Sequence, residues 1–108
     1  MKDAQYDQLI DDIFIALEDA LDAQEQAFDY DSNGDIFTII IPDGSKIVLN
    51  KQPPLQQLWM ATKFNGHHFN YEEDGRWVDE RTGVEFFSFL DEAVSKQAGF
   101  DVTLDLNS

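Results

Sequence analysis

Asp3, Asp7 and Asp11 recur at a spacing of four residues, and so do Glu18 and Asp22. On a helix of 3.6 residues per turn that spacing stacks side chains on one face, and eleven residues bring Asp7 and Glu18 round to the same side. Asp12 and Asp19 form a flanking row, Glu25 extends the stripe, and Asp29 and Asp31 lie beyond it. Carboxylates without His or Cys are hard oxygen donors, better suited to Mg, Ca, Mn or iron than to zinc or copper(I). An open convex ridge cannot enclose a cation, so the expected binding is weak, multiple and poorly selective. Like charges four apart cost a few tenths of a kcal/mol per pair. The sequence offers no evident bases to offset them, so the ridge reads as locally unfavourable. The plainer alternative is a solvated helix face rich in acids.

Charge placement favours the first reading. The chain carries 22 acids against 7 Lys and Arg, a formal charge of -15. Residues 1–35 hold eleven of the acids and a single base, Lys2, whereas residues 36–108 hold eleven acids and six bases. Such an asymmetry marks an interaction surface. A chain of this charge repels nucleic acid and anionic membranes, which are bound through Lys and Arg. Cations and basic protein surfaces are the expected partners, and mutual repulsion favours a monomer at low metal.

A second candidate is Trp59. In the alternation of Gln57 to Thr62, Leu58 and Met60 share one face, and Gln57, Trp59 and Ala61 share the other. If Leu58 and Met60 face the core, Trp59 faces solvent amid amides, with Asn50 and Gln52 on the neighbouring strand end. Trp is enriched among residues that anchor protein interfaces. The alternative is an indole packed along the sheet against Ile36, Ile40 or Val48. His67 and His68, adjacent on a strand, point to opposite faces and cannot chelate one ion together. They read as half-exposed strand histidines.

Catalytic signatures are missing. No nucleophile elbow, phosphate loop, His-x-x-x-His pair or dinucleotide fingerprint occurs. No acid is placed by apolar neighbours as a general acid of raised pKa would be. With no cysteine, a disulfide framework, a thiolate metal site and a cysteine nucleophile are excluded. The expectation is a protein that is not an enzyme. No apolar run approaches the ~20 residues that span a bilayer, and the N-terminus shows neither a signal h-region nor an Arg-rich transit peptide.

The elements that must position these residues are legible from periodicity. Tyr6, Leu9, Ile10, Ile13, Phe14, Leu17 and Leu21 form one apolar stripe and predict a helix over residues 3–25. Short β runs follow at 28–31, 36–41, 46–50, 57–62, 67–71 and 76–79. Pro53-Pro54 breaks the ladder, and Asn65-Gly66 and Asp74-Gly75 are hairpin signals. Thr82 to Glu85 has capping-box spacing, with Thr82 as the cap. Phe86, Phe87, Leu90, Ala93, Val94 and Ala98 then predict a second helix that Gly99 ends. The tail alternates Phe100, Val102, Leu104 and Leu106 and lies on the helices or adds an edge strand. The 108 residues read as one α+β domain, a two-layer sandwich of two helices on one face of an antiparallel sheet of about six strands.

The run Val48-Leu49-Asn50-Lys51-Gln52-Pro53-Pro54-Leu55-Gln56-Gln57-Leu58-Trp59-Met60-Ala61-Thr62 resembles the central signature of the frataxin family. That signature is an Asn-x-Gln strand end, a proline, then Gln-hydrophobic-Trp-hydrophobic. Asp43-Gly44-Ser45-Lys46, Arg76-Trp77, the order of elements and the acidic first helix agree with it, and the short N-terminus is similar to the bacterial branch. The resemblance implies ferrous and ferric iron binding at Asp3, Asp11, Glu18, Asp19, Asp22, Glu25, Asp29 and Asp31. It implies docking on a cysteine desulfurase and an iron–sulfur scaffold protein through Glu18, Asp19, Asp22, Asn50, Gln52, Gln57 and Trp59, as a regulator in the bacterial cytoplasm. Two other functions compete. One is a passive iron store or ferroxidase, although the Glu-x-x-His helices of a di-iron site are absent. The other is an acidic inhibitor of a basic surface, with incidental metal binding.

Overall fold

The computed structural model describes residues 1–106; the last two lie outside the described residues. The order is α1 (Asp3–Asp22), β1 (Asp29–Asn33), β2 (Ile36–Ile40), β3 (Lys46–Gln52), a 3-10 turn (Pro53–Leu55), β4 (Gln57–Ala61), β5 (Gly66–Tyr71), β6 (Trp77–Asp79) and α2 (Phe86–Ala98). The strands form one antiparallel sheet in chain order, β1 to β6. Two helices and six strands are the architecture that the periodicities predict.

Period-two burial sets the layers. Phe37 and Ile39, Ile47 and Leu49, Leu58 and Met60, and Phe69 are all buried, and they meet the stripes Tyr6, Ile10, Ile13, Phe14, Leu17, Leu21 of α1 and Phe86, Leu90, Val94 of α2. Tyr6 locks α1 to the β3–β4 corner. Its hydroxyl donates to the Gln57 carbonyl and accepts from Gln52 N at 2.9 Å. The corner needs the 3-10 turn because the two prolines cannot donate to a ladder. Gln56 closes it in the left-handed region at φ 49°.

Three local expectations change. Helix α1 ends at Asp22, and Glu25 falls in the loop that follows. Asn65-Gly66 does not form a two-residue turn. Gly66 is the first residue of β5, and the hydroxyl of Thr62 accepts from Phe64 N and Asn65 N to organise a longer loop. The cap of α2 is Glu85 rather than Thr82. The Glu85 carboxylate accepts from Phe87 N at 2.6 Å and Ser88 N at 3.1 Å. Thr82 instead donates to Asp79 Oδ2 at 2.7 Å. A carboxylate at the N-cap is favoured by the positive end of the helix dipole as well as by the free N–H groups.

Among the described residues the tail adds no strand. Val102 and Leu104 are buried, and the tail lies along α2. Ser95 Oγ accepts from Val102 N and donates to Val102 O, while Asp91 accepts from Leu104 N. Gly99 ends α2 as predicted, at φ 84°, a conformation that a side chain would strain.

Replacing Glu85 by Ala removes both cap bonds and is expected to destabilise the fold by about 1 kcal/mol. Urea denaturation checks it: the midpoint should fall with the slope unchanged. A midpoint equal to wild type would return the cap to Thr82.

Candidate functional site

The acids of α1 divide into two groups. Lys51 stands at a buried position of β3, its side chain only 4% exposed, and points beneath α1. Its ammonium donates to Asp7 Oδ1 at 2.8 Å and Asp11 Oδ1 at 2.7 Å, with Asp35 Oδ1 at 3.9 Å. Burial pushes its pKa down, but the bonds to Asp11 and Asp7 outweigh burial and hold the pKa above the ordinary lysine value. The expectation that no base offsets the ridge is therefore corrected. Lys51 lies 40 residues from Asp11 in the chain, and only the register of β3 under α1 brings them together. Asp11, a predicted iron ligand, is engaged by this ammonium. Asp3 accepts from Gln56 Nε2 at 3.1 Å.

Glu18, Asp19 and Asp22 remain on the C-terminal half of α1, with no basic residue in its last turn. Asp22 is four residues from Glu18 and three from Asp19, so the three are surface neighbours. Tyr30 of β1 reaches this group, its hydroxyl donating to Asp22 Oδ2 at 3.1 Å. The hydrogen bond to Asp22 raises the phenol pKa, and the charges of Glu18 and Asp19 add to it. Strand alternation then separates the remaining candidates. Tyr30 pairs with buried Ile39 and faces α1, so Asp29 and Asp31 point to the other side of this edge strand, beside Ile40 and Thr38. Asp29 also accepts from its neighbour Tyr30 N. The eight predicted ligands thus do not lie on one face. Among the described residues, no three His, Cys, Asp or Glu side chains come together as a metal-holding group. The donors suit a hard cation, and the geometry offers it a surface of neighbouring carboxylates without a cage.

The outer face of the sheet carries the second group. Leu58 and Met60 are buried against the helices, and Trp59 is half-buried on the opposite face. Its indole stacks on His68, ring centres 4.1 Å apart and planes 11° apart. Trp59 Nε1 donates to Gln57 Oε1 at 2.8 Å, and Gln57 Nε2 donates to Asn70 Oδ1 and Glu80 Oε2, each at 3.0 Å. Glu80 Oε1 lies 3.0 Å from His68 Nδ1. Gln57, itself buried, orients the indole from below. Asn50 is the strand partner of Trp59 and Gln52 that of Gln57. An open cavity of about 200 Å³ beside the indole is lined by Val48, Asn50, Trp59 and His68 among others.

Sequence reasoning missed Lys51, Glu80 and Asp79. The Asp79 side chain is fully buried. Its phase on β6, beside buried Trp77, is the signal that could have found it. His67 and His68 do face opposite sides. His67 packs on Phe89 of α2, ring centres 4.3 Å apart, and His68 lies on the outer face.

The fold and these two surfaces define a class: a small acidic αβ6α sandwich that presents carboxylates at one edge and a braced aromatic on its open sheet face. A family model for the frataxin-like domain matches residues 1–100, and the chain belongs to that family. It is 61% identical over 103 residues to the iron–sulfur cluster assembly protein CyaY of Pseudoalteromonas atlantica, covering 95% of this chain and 94% of the relative. The solved frataxin of Psychromonas ingrahamii superposes with a TM-score of 0.87 at 38% identity, over 96% of this chain and 98% of that one. A trimeric frataxin of the yeast Saccharomyces cerevisiae, solved in a ferrous complex, gives 0.71 at 28% identity over 92% and 88%.

Two outcomes are expected. Replacing Lys51 by Met leaves Asp7, Asp11 and Asp35 to repel one another and should cost about 1.5–3 kcal/mol, the range for hydrogen bonds to a charged group. The loss should shrink in roughly 0.5 M salt, where charges are screened over a few Å; equal losses at low and high salt would point to packing instead. For pH, burial lowers the His67 pKa below its ordinary 6.5. The unfolded chain then takes up this proton first as pH falls, so stability present above pH 6.5 is lost progressively below it. Replacing His67 by Phe should flatten that slope in melting curves taken across the range.

Proposed function

We propose that the chain is an iron-binding regulator of iron–sulfur cluster assembly, without catalysis of its own, that docks a basic partner through the C-terminal half of α1. One observation carries this reading. Lys51 offsets part of the negative charge in the first half of the ridge by pairing with Asp7 and Asp11, while Glu18, Asp19 and Asp22 have no basic residue in their turn of the helix. Their field attracts a cation and a basic protein surface alike. Support also comes from the Pseudoalteromonas relative, named as an assembly protein, and from yeast frataxin in its ferrous complex.

In this reading Glu18, Asp19 and Asp22 hold iron weakly at the surface, with Asp29 and Asp31 as a second carboxylate pair across the edge strand. A cysteine desulfurase with its scaffold protein is the partner, in the bacterial cytoplasm. Among the described residues, no helix is long and apolar enough to cross a membrane. The net charge favours a monomer at low metal. Trp59 is the apolar anchor of the complex on the sheet face, with Asn50 and Gln52 around it.

Titrating the chain into a desulfurase assay, with and without ferrous iron, tests the proposal. An iron-dependent effect on turnover supports it; an effect indifferent to iron would favour an acidic inhibitor with incidental metal binding. Reversing Glu18, Asp19 and Asp22 to Lys should abolish both metal and partner binding, and wild-type binding should weaken steeply with salt. Trp59→Ala should leave iron binding intact, because an indole offers no oxygen donor. It should weaken the complex by roughly 2 kcal/mol or more, the range for an anchor in a partner's pocket.

A further inference from the structure

The β5–β6 hairpin sets two consecutive histidines against two consecutive acids. On the outer face His68 and Glu80 are in hydrogen-bond range. On the inner face His67 and Asp79 are not: His67 Nδ1 lies 3.8 Å from Asp79 Oδ2. Both partners are deep in the layer, Asp79 at 0% and His67 at 12% side-chain exposure. His67 Nδ1 and Asp79 Oδ1 are buried without a hydrogen-bond partner among the described residues, while Asp79 Oδ2 is taken by Thr82. Buried polar atoms are nearly always paired, so two unpaired ones on facing side chains call for a reason.

We propose that His67 and Asp79 form a proton-operated latch that resets the Trp59 face. The proton comes from solvent. It converts the imidazole to an imidazolium, whose Nδ1–H donates to the Asp79 carboxylate once the gap closes by about 1 Å. Charge balances within the pair, so the closed form buries no net charge. The connection outward is short. Glu80 follows Asp79, His68 follows His67, and Glu80 N donates to the His68 carbonyl at 2.9 Å. The Glu80 carboxylate holds both His68 and Gln57, and these two hold the indole. A movement that draws the inner pair together therefore shifts the groups that orient Trp59.

The surroundings set the direction of the switch. Asp79 on β6 attracts a proton to His67, and Arg81 in the following loop and His68 on β5 repel it. From α2, Glu92 and Lys96 line the same cavity of about 120 Å³ as His67. Burial is the largest influence and holds His67 neutral at neutral pH. The latch is open there and closes as pH falls through the His67 titration. Its value to the protein rests on the reading of Trp59 as a partner anchor, but its test does not require a partner.

NMR of the isolated chain from about pH 8 to about 5 follows the His67 and His68 rings together with the Trp59 Nε1–H signal. The Trp59 signal should shift with the midpoint of His67, and that midpoint should lie below 6.5. Asp79→Asn, of the same shape without charge, should lower the His67 midpoint further and remove the coincident shift. His67→Gln should remove it too, leaving only changes that follow His68. A Trp59 signal flat through the His67 titration overturns the latch, and so does a His67 midpoint unmoved in Asp79→Asn. If either variant does not fold, coincidence or non-coincidence of the two wild-type transitions decides. Failure here would leave the desulfurase assay of the proposed function untouched.

Discussion

A sheet covered by helices on one side only can bury every second residue of each strand, and that constraint governs the rest of this molecule. Phe37, Ile39, Ile47, Leu49, Leu58, Met60 and Phe69 take the covered positions. Asn50, Trp59, His68 and Asn70 are thereby turned to the open side, in register across β3, β4 and β5. Sliding one strand by a residue would exchange the two sets, burying amides and exposing the core. The open face is thus held in place by the same burial that stabilises the fold.

Lys51 is one departure from the pattern, and its consequence reaches the ridge. It occupies a covered position, where a lone ammonium would be costly to desolvate. Asp7 and Asp11 of α1 satisfy it. Repulsion along the first turns of α1 and the burial of a cation, each unfavourable alone, offset one another. Helix and sheet are tied at that point. The same pairing offsets part of the negative field at Asp7 and Asp11 and leaves Glu18, Asp19 and Asp22 with no basic residue in the last turn of α1.

On the open face, an aromatic anchor is useful only if its orientation is set beforehand, since ordering a side chain on binding opposes affinity. Gln57, His68 and Glu80 set it. Gln57 is buried with its amide fully used: it accepts from the indole and donates to Asn70 and Glu80. Beneath it His67 and Asp79 face each other across the hairpin with no hydrogen bond between them.

Helix periodicity, strand alternation and turn chemistry were legible in the sequence because each depends on neighbours a few residues away. The two helices, the six strands, the solvent phase of Trp59 and the opposite facing of His67 and His68 all follow from such local rules. So does the end of α2 at Gly99. Other features needed the assembled structure because they join residues far apart in the chain. Lys51 meets Asp7 and Asp11 only when β3 passes under α1. Val102 and Leu104 reach the core only because the tail turns back along α2. Asp29 and Asp31 part from the α1 ridge because Tyr30, between them, is drawn to the helix side at the sheet edge. Even the cap of α2 passed from Thr82 to Glu85, because Thr82 is bonded to the buried Asp79. Short-range geometry determined which residues could act, and long-range packing decided which of them were left free to do so.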